Sequence, residues 1–184
     1  MESKSRIIYP FDTFCFCGGI IYEINCLRES LYCLPPDTLK WCSENVVYFS
    51  TSAFKTGSRL SRRACETKEI IILSDKIFPL SFTPSDKSTR FFIFIVFHET
   101  AHAVLKHQCM RFDKITGERK ELQEQEADVL ALEWFETYAK RNGFPILKKA
   151  EIDEYERIIN QHIEISAQIQ KKCLAKRIKQ FERL

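Results

Sequence analysis

The amino-acid sequence predicts an α+β fold, a small mixed or antiparallel sheet packed on a central helix with further helices around it. Short runs of β-branched and aromatic residues, Val46 to Phe49 and Glu69 to Leu73, fall in the first half of the chain. Three long segments with apolar residues at helical spacing come after them. Strands first and helices afterwards is the order of an α+β fold rather than of alternating βαβ units. At 184 residues the chain suits one domain, residues 1–184, with enough length to bury a substantial core.

Each element can be justified in turn. Phe14 to Cys17 and Ile20 to Asn25 flank Gly18-Gly19, a dipeptide suited to the positive φ angles of a tight turn, so this segment reads as a β-hairpin. Together with the strand that follows, it makes residues 1–65 a cysteine-rich, β-containing part. Pro35-Pro36 interrupts the chain, and Pro36-Asp37 opens a loop or a short helix. Val46 to Phe49 and Glu69 to Leu73 are strands, and the polar, basic stretch Lys55 to Arg63 between them reads as a loop. Phe78 to Thr89, with two prolines and several hydroxyl residues, is a connection. Ser88 or Thr89 then caps a helix predicted from about Arg90 to His107. Phe112 to Arg119, containing Gly117, is a break. A second helix runs from about Glu118 to Arg141 and stops at Asn142-Gly143-Phe144-Pro145, a glycine past the end followed by a proline. The third, residues 148–184, carries Ile152, Tyr155, Ile159, Ile163 and Ile169 at roughly helical spacing and is basic at its end.

Composition narrows the class. Hydrophobic residues make up 45% and charged residues 29%, values ordinary for a soluble globular protein. The net charge of +3 is too small to imply nucleic acid. The six Lys/Arg from Lys171 to Leu184 face a single acid, Glu182, and read as a solvated helix face, with an acidic partner as the alternative. Met1 to Pro10 lacks the apolar core of a signal peptide. The most apolar run, Phe91 to Phe97, is far shorter than the roughly 20 residues of a membrane span. A cytoplasmic protein without a membrane partner is expected. There are eight cysteines and none are spaced C-x-x-C, so free and mostly buried thiols are expected, a metal site at Cys15 and Cys17 being the alternative.

The chemistry concentrates in His98-Glu99-Thr100-Ala101-His102, an H-E-x-x-H pentapeptide. At about 100° per residue the two histidines lie about 40° apart and one turn along, where their ring nitrogens can share one ion. Glu99 is turned about 100° from His98, poorly placed as a ligand but near enough to take a proton from a water that the metal activates. Phe91, Phe94, Ala101 and Leu105 share the histidine face, and a satisfied core histidine is the bland alternative.

A third ligand has two candidate sources. On a continuous helix His107 lies about 180° from His98, and it reads as a surface histidine. The longer pattern with a glycine three residues, and a third histidine six residues, past the second His has Leu105 and Gln108 at those places. Glu121 to Asp128 is the better source. On the second helix Ala127, Leu130, Ala131, Trp134, Phe135 and Tyr138 mark the buried face. Glu124 borders that stripe, with Asp128 one turn on, whereas Glu126 and Glu133 point away. Glu124 is thus the expected third ligand, and Asp128 is placed to accept the free ring N–H of a ligand histidine. A solvated acidic helix is the competing reading.

The order of these motifs, the strand Glu69 to Leu73, the apolar approach Phe91 to Phe97, H-E-x-x-H, then E-x-E-A-D opening the next helix, resembles the ImmA/IrrE-type zinc peptidases. The pairing of H-E-x-x-H with E-x-x-x-D is shared more widely among gluzincins. The likeness spans roughly Glu69 to Tyr138. It implies a zincin-type active-site helix, one Zn2+ per chain on His98, His102 and Glu124, Asp128 supporting a ligand, and Glu99 as catalytic base. It further implies a metallopeptidase acting on a regulatory protein such as a DNA-binding repressor. The sequence departs from it after Leu130, where no proline comes before Pro145, and in lacking a helix-turn-helix pattern. Tyr138, Tyr155 and His162 are candidates to stabilise the developing oxyanion, and Glu69 to Leu73 offers an edge for an extended substrate. The rival reading is a partner-binding module on the same scaffold without proteolytic activity; direct nucleic-acid binding is not expected.

Overall fold

The computed structural model describes residues 15–17, 21–51, 57–60, 68–108 and 115–181, which form four strands and five α-helices. In chain order these are β1 (Cys15–Cys17), α1 (Ile21–Leu31), α2 (Pro36–Asn45), β2 (Val46–Thr51), β3 (Gly57–Leu60), β4 (Glu69–Ser74), α3 (Lys87–Val104), α4 (Gly117–Asn142) and α5 (Lys149–Phe181). The α+β class and the strands at 46 and 69 match expectation. The sheet is mixed, in the order β1-β2-β4-β3. β1 pairs parallel with β2, placing Phe16 against Tyr48, and β2 pairs parallel with β4, placing Tyr48 against Ile71. Only β3 runs antiparallel, its Gly57 opposite Leu73.

Two sequence expectations fail here. The segment Ile20 to Asn25 is not the second arm of a hairpin. From Ile21 it is helical, burying Cys26, Leu27, Ser30 and Leu31, a four-residue periodicity that only packing against α3 brings out. The partner of β1 is therefore the more distant β2, while Gly18-Gly19 lies outside the described residues. The stretch Lys55 to Arg63 is likewise not all loop, because residues 57–60 form β3. Its Gly, Ser and Arg hide strand character, but polar residues suit a strand at a sheet edge, where they discourage pairing with other chains.

Helix α3 is the centre of the molecule. Phe91 through Phe97 are all buried, so this half of the helix is apolar all round, as a helix enclosed by other elements must be. It packs on β3 and β4 on one side and on α1 and α4 elsewhere. Phe97 meets the Trp134 ring of α4 edge-on at 6.1 Å, and Phe91 meets Tyr155 of α5 at 4.4 Å. The sheet is tied to α3 by a polar link as well. The Tyr48 hydroxyl, wholly buried, lies 3.1 Å from Thr100 Oγ1, which in turn donates to the Val96 carbonyl. Asp86, rather than Ser88 or Thr89, stands at the N-cap of α3. Thr89 instead accepts from the Thr83 amide and donates to the Ser81 carbonyl, tying down the preceding connection. Arg90 donates to the Pro145 carbonyl, joining the start of α3 to the turn before α5.

Helix α4 opens with Thr116 Oγ1 accepting from the Arg119 amide. It closes on Gly143, whose φ of 72° places it in the left-handed region that glycine adopts without penalty. Cys26, Cys33 and Cys42 are free thiols, Cys26 and Cys42 buried, in line with expectation; the side chains of Cys15 and Cys17 lie outside the described residues. Among the described residues no helix is long and apolar enough to cross a membrane.

Removing the Tyr48 hydroxyl breaks the link to Thr100 but leaves Thr100 its bond to Val96. Tyr48→Phe is expected to cost about 1 kcal/mol of unfolding free energy, measured by urea denaturation with an unchanged m-value.

Candidate metal centre

The last turns of α3 leave the apolar interior, and there His98 and His102 project towards α4. One helical turn apart, their Nε2 atoms lie 3.1 Å from each other. Glu124 on α4 brings its Oε2 to 3.4 Å from His98 Nε2 and 3.5 Å from His102 Nε2. The three sequence-predicted ligand residues therefore meet at one point, with one donor atom each. Four donors at bond lengths of about 2.0–2.1 Å around zinc stand about 3.3 Å apart at the corners of a tetrahedron. The observed triangle matches three such corners. Two imidazoles and one carboxylate are also the donor set of a catalytic zinc centre, so the residues fit that ion.

The electrostatics point the same way. Burial alone would depress the His98 pKa, but Asp128 and Glu124, helped by Glu99, outweigh it and push it up to about 10. The His102 and His98 rings hold the Glu124 carboxyl well below its usual range against the opposing effect of burial. Carboxylates thus surround the rings and favour positive charge between them, whether a proton or a metal cation supplies it.

Asp128 lies one turn beyond Glu124, as expected, with Oδ1 2.9 Å from His98 Nδ1. The carboxylate stands off the N–H axis, so this contact is charge proximity rather than a well-directed hydrogen bond. Its other oxygen is 2.6 Å from Lys149 Nζ, which also reaches Asp153. Burial raises the Asp128 pKa, but His98 and Lys149 together bring it below its usual value. The first turn of α5 is thereby anchored to the site, a role for Lys149 that no sequence signal announces.

Glu99 is buried, at 8% exposure, beneath the edge strand. A Cβ placed on Gly57 would stand 2.5 Å from Glu99 Oε1 and under 3.0 Å from its Cγ and Cδ. Gly57 does not have a positive φ, so it is the space, not the conformation, that demands glycine. This also corrects the expected substrate edge: β4 is paired on both sides, and among the described residues β3 is the edge strand that passes the motif helix.

The reading of His107 is overturned. Helix α3 ends at Val104 and does not carry His107 round to the far side. Lys106 takes a left-handed φ of 55°, the His107 amide donates to the His102 carbonyl, and the Lys106 amide donates to the Ala103 carbonyl. This is a Schellman turn built without glycine, at a cost of about 1–2 kcal/mol for the left-handed lysine. It folds His107 back into the protein, where it is only 6% exposed. Its Nδ1 lies 2.7 Å from His102 Nδ1, and its Nε2 lies 3.1 Å from Glu126 Oε2. Glu126, expected to point away from the buried face of its helix, therefore has a buried partner. Leu105, expected on the buried stripe, is 41% exposed. Of the three oxyanion candidates, Tyr138 meets Phe135 edge-on and Phe144 at a tilt, Tyr155 packs at a tilt on Phe91, and His162 is exposed on α5.

Comparison of the chain with models of protein families, with curated proteins and with solved structures finds no match.

Purified protein is expected to carry roughly equimolar zinc, and His102→Ala and Glu124→Ala are expected to lose it, as read by elemental analysis. Glu133→Ala, on the exposed side of α4, should retain the wild-type content.

Proposed function

We propose that the chain is a zinc-dependent peptidase in which His98, His102 and Glu124 hold the metal and Glu99 is the general base. The observation that carries this is the meeting of three ligand atoms from α3 and α4 at tetrahedral spacing, with Glu99 buried on the adjoining side of the same helix. Zinc held there would supply Lewis acidity, lowering the pKa of a water to about 7 and polarising a carbonyl. Glu99 would take a proton from the attacking water and deliver it to the departing amine nitrogen. Gly57 lets the edge strand approach the base closely, which excludes water from one side of the carboxylate. An extended peptide pairing along β3 would run past the base, and the strand's main-chain groups would hold it in register.

The resemblance noted above supports a protein substrate, a regulatory protein such as a repressor, with the protein itself acting in the cytoplasm. Lys149 and Asp128 serve this reading by fixing α5 beside the ligand His98.

Two variants test it. Glu99→Gln should keep zinc at the wild-type level while cleavage of an unfolded protein such as casein falls by about 10²–10⁴-fold. Retention of full cleavage in that variant would sink the assignment of the base. Gly57→Ala should displace the Glu99 carboxylate without touching the ligands. Its cleavage rate should drop by about 10²-fold at unchanged zinc content.

A further inference from the structure

We infer that His107 and Glu126 form a positioning relay that fixes the ring and tautomer of His102, an inference that rests on the reading of His98, His102 and Glu124 as a metal centre. His107 itself is not a ligand. It touches Nδ1 of His102, whereas the atom that faces Glu124 and His98 is Nε2, on the other side of the ring.

For a neutral His107 the direction of each hydrogen bond follows from the chemistry of its end. Glu126, as a carboxylate, only accepts, so the proton between it and His107 sits on His107 Nε2. A neutral His107 protonated there presents a bare Nδ1. That nitrogen can only accept, so the proton in the 2.7 Å contact belongs to His102 Nδ1. His102 is then left with a lone pair on Nε2, aimed at the point it shares with His98 and Glu124. Each link thereby determines the next, and the last one puts a donor pair where a cation needs it.

Backbone and ring packing support the same role. The Schellman turn bonds the His107 amide to the carbonyl of His102 itself, so the relay residue and the ligand are held in one turn. Their rings meet edge to face with centroids 4.9 Å apart. His107 is buried and Glu126 comes from α4, the helix that also supplies Glu124. The ligand and the residue that supports it therefore reach both histidines from one rigid element. His98 has only the off-axis contact with Asp128 at its own Nδ1, so the better-directed support in the site belongs to His102.

The experiment measures zinc affinity of the full chain by competition with a chromophoric chelator, alongside the visible spectrum of the cobalt-substituted protein. Wild type should bind zinc, and His107→Phe, which keeps a ring but no nitrogen, should bind about 10–100-fold more weakly, with altered cobalt d–d bands. His107→Asn, whose amide can occupy the position of Nδ1, should recover most of that loss. Glu126→Gln, at a half-exposed position where folding is not at risk, should weaken binding in the same direction but less. The double variant His107→Phe/Glu126→Gln should be no worse than His107→Phe alone, because both act through one chain of contacts. Wild-type affinity and an unchanged cobalt spectrum in both His107→Phe and Glu126→Gln would overturn the relay while leaving the metal centre standing. A wild-type protein that binds no zinc would overturn both.

Discussion

Everything in this molecule is arranged around the burial of one helix. The run Phe91 to Phe97 is enclosed on every side, by the sheet, by α1, by α4 and by Tyr155 of α5. An element buried all round has no freedom to rotate or slide, because any shift would open cavities against several neighbours at once. The next turn inherits that rigidity. His98 and His102 are therefore presented at a definite angle and height, and Glu124 on the neighbouring α4 meets them to within tenths of an ångström of tetrahedral spacing. Thr100, between them in sequence, is turned to the opposite side and is tied through Tyr48 to the sheet. One turn of helix thus carries a structural link on one face and the candidate ligands on the other.

The cost of this arrangement is electrostatic. Two imidazoles and three carboxylates, Glu99, Glu124 and Asp128, lie at or under the surface where solvation is reduced. Their mutual attraction offsets the loss of water, and the shifted titration of His98 and Glu124 reflects that balance. A site that favours positive charge this strongly is suited to a divalent cation. The surrounding contacts reduce the number of ways in which it can be held. Lys149 pins Asp128, Glu126 pins His107, and each of these touches the nitrogen of a histidine that faces away from Glu124. The edge strand adds a further restriction by passing Glu99 so closely that a side chain at position 57 would have to displace its carboxylate.

The errors of the sequence reading share one origin. Helical periodicity placed α3, α4 and α5 within a few residues of their observed bounds, because the i to i+4 pattern is written locally. It failed wherever a non-local contact made the decision. Ile20 to Asn25 has strand-like composition, yet the buried positions of α1 follow from its contact with α3. Residues 57–60 look like loop, yet pairing with β4 makes them a strand. A helix continued to His107 overshoots the observed end by three residues, since nothing in Leu105-Lys106-His107 advertises a left-handed lysine. That single backbone angle moves the residue from the surface to contact with His102, and Glu126 along with it.

By itself the sequence determined the α+β class, the strands at 46 and 69, the three long helices and the convergence of His98, His102 and Glu124 with Asp128 nearby. These depend on spacing within one helix and on which stripe of each helix is apolar, and both are read from neighbouring residues. Only the tertiary structure decided which strand forms the edge over Glu99, where α3 stops, and what supports each histidine from behind. Those features depend on pairing between segments far apart in the chain and on a terminal turn whose energy is set by what it packs against. No local pattern encodes them.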